Sequence, residues 1–437
     1  MSDARTDEAF EVSAGPMAPG GRSFARLDDG TPLFLDGAVP GEQVRGVVVR
    51  RRKKIAEGRV TEVLEASPDR VTPPCPWADR CGGCDWMHVA YPAQLRFKGE
   101  IIAEAGRRQG RLEREAPVPV SPSPVREAYR SRVRLHVDEQ GRVGYFARGT
   151  HDVVEIDRCW IARHDVNAAL GALRDATAGV EAKLGREVSG IELRGGDDET
   201  DWAVHLYLRQ RNTRPTTALA SSLSTLSSMG GTVWLNGRPH KGAQRIRYPL
   251  PDGRFLWSGP LTFTQANPRA NEQLVGLVQA LVAGWGEPPA DAFFVDLYCG
   301  AGNFTLPLLA HGVRGVGIEL SPEAIAHARD AAADQGLDPD GFRSGKVGTR
   351  SLHHLSDPTP EVVILDPPRT GAREAVALIV EELRPRRVIY VGCDPVTQAR
   401  DVGALREAGF EVHLWEAIDL FPQTHHVEAV MELRRPE

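Results

Sequence analysis

Between Glu11 and about Ala66, short valine-rich runs (Val44 to Val49, Gly58 to Val63) alternate with glycine and proline turns such as Ala38-Val39-Pro40-Gly41. That pattern predicts a small all-β barrel. Pro73 to Trp77 breaks it, and Pro92 to Arg111 then carries Leu95, Phe97, Ile101, Ile102 and Ala105 at helical spacing, which predicts an amphipathic helix. A Pro/Ser stretch, Pro117 to Pro124, reads as a linker. Residues 128 to 260 predict strands with one helical insert around Val166 to Ala178. From Leu261 onward, buried runs at Phe293 to Leu297, Gly315 to Leu320, Val362 to Leu365 and Val388 to Val391 are each followed by a helical stretch. That is the βαβα rhythm of a parallel, doubly wound sheet. No internal repeat is visible. The expected division is an OB-like barrel over 8–66, a strand-rich α+β unit over 67–262 and an α/β Rossmann-like unit over 263–437.

Length and composition agree with several packed cores. The chain has 437 residues, 41% apolar and 26% charged, and at about 150 residues per domain this bounds it near three domains. Lys and Arg total 53 against 59 Asp and Glu, a net charge of −6, so any nucleic-acid binding must be local. One local site is Arg50-Arg51-Arg52-Lys53-Lys54, five cations at a hairpin tip, where each neutralised phosphate adds salt-dependent affinity. The N-terminus has no basic segment before an apolar core and no run of 18 apolar residues occurs, so the expectation is a soluble, cytosolic protein with no membrane contact. Six cysteines are too few for a secreted disulfide scaffold and read as metal-binding or reactive thiols.

Candidate chemistry concentrates in the last third. Phe293 to Phe304 is a strand entering a glycine-rich turn, Gly300-Ala301-Gly302, and then a helix, a turn that brings a nucleotide-like ligand against bare backbone. Thr305 stands where the dinucleotide fingerprint needs its third glycine, which disfavours a pyrophosphate cradle. Glu319 ends the next strand, placed to accept from ribose hydroxyls, a combination that fits S-adenosylmethionine as well as NAD. Asp366-Pro367-Pro368-Arg369 follows a buried strand, with Arg369 where enzymes acting on amino nitrogens carry a base-stacking aromatic. Cys393 precedes a helix N-terminus, where backbone N–H groups are expected to lower a thiol pKa from ~8.5 toward neutrality; the plainer reading is a buried structural cysteine. Glu428 is on the face opposite Val427 and Ala429, and the pattern by itself favours a solvent-facing residue. Cys75-x5-Cys81-x2-Cys84, with Cys159 downstream, suits a tetrahedral thiolate set for zinc or an iron–sulfur cluster.

Collected together, Phe263-Thr-Gln265-Ala-Asn267, Asp296-Leu-Tyr298-Cys-Gly-Ala-Gly-Asn303, Glu319, Asp366 to Arg369, Cys393-Asp-Pro and His426-Val-Glu428 make the chain resemble the RNA 5-methyluridine (uracil-C5) methyltransferase family, whose members carry an N-terminal TRAM domain. The resemblance spans nearly the whole chain. It implies a class I fold; S-adenosylmethionine contacts at Gln265, Tyr298, Asn303, Glu319 and Asp366; Cys393 as nucleophile; and Glu428 as base. It also implies a [4Fe-4S] cluster on Cys75, Cys81, Cys84 and Cys159, and rRNA or tRNA as substrate, with no obligate protein partner. Gly341 to Lys346 departs from the family by lacking the acidic or Asn-bearing segment that meets the adenine. Arg130, Arg132 and Arg134 share one strand face in a segment resembling the family's central domain and are expected to bind phosphates.

The implied chemistry explains the residue types. A thiolate adds to uracil C6, the resulting enolate takes the methyl, and a base removes the C5 proton so that elimination frees the enzyme. The base must be flipped out or single-stranded. Two alternatives are methylation of another RNA base, for which the chain lacks a Pro-Cys nucleophile dipeptide, and a non-catalytic iron–sulfur RNA-binding protein, which would not need Cys393 and Glu428.

Overall fold

The structure, a computed structural model, describes residues 8–436 apart from 53, 114–115, 199, 211–213, 285–292, 349–354 and 356–358. The first sheet has five strands in the order Ala9–Ser13, Gln43–Arg52, Ile55–Glu65, Pro32–Asp36, Ser23–Arg26. Its long central pair contains three register irregularities, which bend a ribbon and increase its twist. The two edge strands come into contact, and the curl encloses Phe10, Leu33, Leu35, Val44, Val48 and Ala56. The basic run opens inside the strand Gln43–Arg52, whose last three residues are Arg50 to Arg52, and closes at Lys54 just before Ile55–Glu65; Arg51 pairs with Glu8 and Asp29, and Lys53 is outside the described residues.

The second sheet has seven strands, with Arg132–Val137, Val188–Gly195 and Trp202–Leu208 adjacent near its middle. Alternation along Arg132–Val137 sends Val133, Leu135 and Val137 into the core, where they pack with Val166, Leu170 and Leu173 of the helix His164–Thr177. Two further helices, Glu181–Glu187 and Thr217–Ser228, accompany the single one expected. The opposite face carries Arg132, Arg134 and His136. Arg130 lies before this strand, joined to Ala162 by an isolated bridge.

The third sheet has eight strands in the order Phe342–Ser344, Gly315–Glu319, Phe294–Leu297, Val362–Leu365, Arg387–Gly392, Glu428–Arg434, Glu411–Ile418, Val120–Ser121. The first five run parallel, and Glu428–Arg434 is antiparallel to its neighbours. The strand order reverses between Phe294–Leu297 and Val362–Leu365, and open α/β sheets bind ligands at such a point, at the carboxyl ends of the strands. Asn267, Ser321 and Asp394 cap the helices Pro268–Ala283, Pro322–Asp334 and Pro395–Glu407, and each cap is followed by proline. Each cap accepts from one free N–H, that of Ala270, Ala324 or Thr397, and the proline presets the first helical φ. Val120–Ser121, from the segment read as a linker, completes the sheet's far edge, and the helix Tyr91–Ala105 packs against the helix Pro395–Glu407.

Candidate active site

The strand Phe294–Leu297 is wholly buried and ends in a turn with three left-handed residues, Tyr298 (φ 68°), Gly300 (57°) and Gly302 (97°). A Cβ on Gly302 would stand 2.8 Å from the Phe342 ring, so both conformation and space require glycine there. Thr305 Oγ1 donates to Asp296 Oδ2 at 2.6 Å; the residue that breaks the dinucleotide pattern thus ties the turn to the strand. Glu319 braces the same turn, accepting from Ser321 N at 2.8 Å and Gly300 N at 3.3 Å. Asn303 makes a reciprocal amide pair with Asn271 (2.8 and 3.0 Å). Gln265 is buried, on a segment held by Ser131 N to Ala266 O at 2.7 Å and by Asn267, which donates to Ser123 Oγ and Leu420 O. Burial pushes Asp296 up to about 8, against the Thr305 bond and with help from Asp366 and Glu319.

At the neighbouring strand ends the structure brings Asp366, Cys393 and Glu428 together. Ladder partners Gly392 and Ala429 place Cys393 and Glu428 as the next pair outward. Glu428 is not solvent-facing as the alternation suggested: it is 2% exposed, and its Oε1 has no hydrogen-bond partner. Burial, then Asp366, push its carboxyl well above the usual range, with Arg369 acting the other way. Asp366 is pushed up to about 7 by burial. The expected lowering of the Cys393 thiol is reversed: burial, then Glu428 and Asp366, push it up to about 12, with Arg369 opposing. Asp394, the next residue, adds a smaller push in the same direction: it accepts from Thr397 N at 2.8 Å, so a carboxylate already occupies the helix N-terminus that was to stabilise the thiolate.

The other expected thiols stand apart from this edge. Cys75, Cys81, Cys84 and Cys159 line a single cavity with Trp77, Met87, Tyr145 and Ile161, and all are free. Tyr145 Oη lies 3.8 Å from Cys159 Sγ. Burial raises Cys81 to about 11 and raises Cys75 and Cys84 as well. Among the described residues no three His, Cys, Asp or Glu side chains surround a single metal-ion position; what the four thiols share is a cavity.

Residues 348–436 match the family model of tRNA (uracil-5-)-methyltransferases. A protein of Streptomyces avermitilis named as an uncharacterized RNA methyltransferase is 34% identical, with 97% of each chain covered. The 23S rRNA (uracil(1939)-C(5))-methyltransferase RlmD of Alcanivorax borkumensis is 32% identical, covering 96% of this chain and 95% of that protein. The chain belongs to the RNA uracil-C5 methyltransferase family. Among solved structures, the Pyrococcus abyssi tRNA (uracil-54, C5)-methyltransferase in complex with S-adenosyl-L-homocysteine shares the fold, with a TM-score of 0.74 at 22% identity over 97% of this chain and 99% of that one.

In this RNA uracil-C5 methyltransferase, the polar face of the seven-stranded sheet alternates cations with rings. Arg132 lies over Phe263, 5.0 Å from its centroid, and Arg134 over Tyr207 at 4.6 Å. His136 stacks on Phe146 at 3.5 Å. Phe263 is 58% exposed and lies two residues before the buried Gln265. Sequence reasoning quoted Asp296 in a motif without giving it a role, and missed the contact of Arg369 with His426 (3.3 and 3.4 Å). An acid inside the apolar run Phe293 to Leu297 was a readable signal for the first; nothing local pointed to the second. No helix among the described residues is long and apolar enough to cross a membrane.

Proposed function

We propose that this chain forms 5-methyluridine in structured RNA, rRNA or tRNA, with Cys393 as nucleophile and Glu428 as base. The observation that carries the reading is the meeting of Cys393, Glu428 and Asp366 at one sheet edge, beside a glycine turn shaped for a nucleoside. When bound, S-adenosylmethionine supplies an electrophilic methyl group; Gln265, Tyr298, Asn303, Glu319 and Asp366 are the residues that would hold it. Cys393 Sγ bonds to uracil C6 and the displaced electron pair makes C5 nucleophilic. After C5 is methylated, Glu428 takes the C5 proton, the C5–C6 double bond re-forms, and the C6–S bond breaks to return the thiolate. Glu428 acts in its ionised form, the one able to accept the C5 proton, while the thiol holds its proton at rest and loses it as the uracil enters. Asp366, near 7, is an acceptor matched to that transfer, and the Arg369 cation favours both ionised forms.

The remaining assignments support this chemistry. Residues 8–66 act as a TRAM domain that grips RNA through the tip Arg50 to Lys54, residues 67–262 add Arg130, Arg132 and Arg134, and residues 263–437 carry catalysis, in the cytoplasm. Cys75, Cys81, Cys84 and Cys159 fit a [4Fe-4S] cluster, because four thiols around one apolar-walled cavity are the donor set such a cluster takes. Mapping 5-methyluridine in rRNA and tRNA from cells with and without this protein tests the function. One uridine should lose its methyl; unchanged 5-methyluridine with loss of another methylated base would reject the reading.

A further inference from the structure

The segment Asp419 to Val427 joins the last two strands of the catalytic sheet, yet most of the side chains that hold it come from the first third of the chain; Asn267, which donates to Leu420 O, is an exception. Lys98 Nζ donates to Asp419 Oδ1 at 2.6 Å and to Phe421 O at 3.1 Å, both side chains fully buried. Tyr129 Oη donates to Pro422 O at 2.9 Å. Gln423, left-handed at φ 69°, is gripped by Trp86 N on its carbonyl (3.0 Å) and by Gln94 on its N–H and side chain (2.9 and 3.0 Å). The last clamp is Asp85. Its carboxylate meets the His425 ring Nδ1 and accepts from the His425 backbone N–H at 3.3 Å.

Three parts of the molecule meet at that pair. Asp85 directly follows Cys84, His425 sits three residues before Glu428, and Gly21, in the bend before the strand Ser23–Arg26, covers both. A Cβ on Gly21 would stand 2.6 Å from Asp85 Oδ2 and 2.7 Å from His425 Cβ, while Gly21 O accepts from Trp86 Nε1 at 2.8 Å. His426, next in the chain, faces Arg369.

We propose that Asp85 is a positioning residue for the methylation cycle: the Asp85–His425 pair, covered by Gly21, sets the chain from His425 to Glu428 so that the Glu428 carboxylate reaches the C5 proton. This rests on the reading of Glu428 as base. One carboxylate fixes both the backbone and the ring of His425, so its removal frees the approach to Glu428. A misplacement of about 1 Å in a reacting group costs on the order of 100-fold in rate.

The test uses full-length protein purified anaerobically as Asp85→Asn, Asp85→Glu, His425→Gln, Gly21→Ala and the Asp85→Asn/His425→Gln double variant. S-adenosylhomocysteine affinity, RNA affinity and iron content should match the parent. Turnover should fall on the order of 10- to 100-fold, and a methyl-bearing protein–RNA adduct that resists denaturing electrophoresis should accumulate, because elimination is the step slowed. Asp85→Glu should recover part of the rate, and the double variant should be no worse than its poorer single parent, since both break the same interaction. Gly21→Ala should give the same pattern with Asp85 and His425 both retained, because the added Cβ pushes the pair out of position. Parental turnover in Asp85→Asn, slow turnover without adduct, or loss of cofactor affinity alongside activity would each overturn the proposal. Glu428→Gln in an otherwise native chain separates the two readings: if it forms no adduct, Glu428 is not the base, whatever Asp85 does.

Discussion

Cys393 stands across the sheet from Glu428, one step beyond the last ladder pair, Gly392 with Ala429. Directly opposed residues of an antiparallel pair hold their Cβ atoms about 5 Å apart, so this juxtaposition is set by strand register. A nucleophile and a base for adjacent ring atoms need such a fixed span.

Cys393→Ala should abolish turnover while leaving S-adenosylmethionine binding intact, because the turn Tyr298 to Asn303 and Glu319 lie on other strands. Calorimetry with S-adenosylhomocysteine and a methyl-transfer assay read the two properties. Glu428→Gln should retain addition and methyl transfer and stall at elimination. The resulting adduct should vanish in the double variant with Cys393→Ala.

The raised Cys393 thiol predicts slow alkylation in the ligand-free protein. At pH 7 its iodoacetamide rate should be about 100-fold or more below that of a free thiol, and should climb steadily into the alkaline range. Asp366→Asn removes a negative neighbour and should move that profile to lower pH; Arg369→Gln removes the opposing cation and should move it higher. Mass spectrometry of the Cys393 peptide against pH checks both directions.

Asp296, pushed up to about 8, and Asp366, up to about 7, bind protons more tightly folded than unfolded. Their stabilising contribution is full below the unfolded carboxylate range, near 4, and is lost as pH rises through 7 to 8. His88, His205 and His327, each lowered to about 4 chiefly by burial, act oppositely: their contribution is present above ~6.5 and lost as pH falls toward 4. Below 6.5 the two sets offset each other; above it only the acids remain. The ligand-free Tm should therefore decline from pH 6.5 to 8.5, and Asp296→Asn should flatten that decline in a thermal scan.

What could be read from sequence was what local pattern determines. Val362 to Leu365 is both a continuous apolar run and the observed strand, and the glycine turn, Glu319, Asp366 and Cys393 fall at strand ends because buried parallel strands announce themselves. Two properties of the site were misjudged for physical reasons. The Cys393 thiol is governed by burial and by Glu428 and Asp366 from two other strands, and Glu428 begins an inner strand of the sheet, paired with Ile418 on one side and with Gly392 opposite Ala429 on the other, a placement that the alternation of its own segment does not reveal. The Lys98–Asp419 pair spans 321 positions, and no window along the chain contains it.

RNA affinity should depend on the basic tip despite the overall charge of −6. Replacing Arg50, Arg52 and Lys54 by glutamine should weaken binding and reduce the salt slope by about one for each phosphate left without its cation. Phe263→Ala and Arg134→Gln should weaken binding through stacking and charge respectively, the first with little change in slope. Filter binding across a salt series distinguishes them.

Anaerobically purified protein should be brown and hold iron and acid-labile sulfide, and Cys84→Ser or Cys159→Ser should abolish both. Stoichiometric zinc without sulfide would reject the cluster.

The strand Val120–Ser121 and the buried Lys98 have a consequence for modularity. A fragment starting at residue 263 would contain every residue assigned to cofactor and catalysis, yet it would leave Ala417 and Ile418, the end of Glu411–Ile418, without their partner strand and Asp419 without the ammonium that neutralises it. The Rossmann-like unit of this chain is therefore not portable. Its sheet is finished by upstream sequence, so the parts before and after residue 263 cannot be exchanged between relatives at a simple breakpoint and must change together.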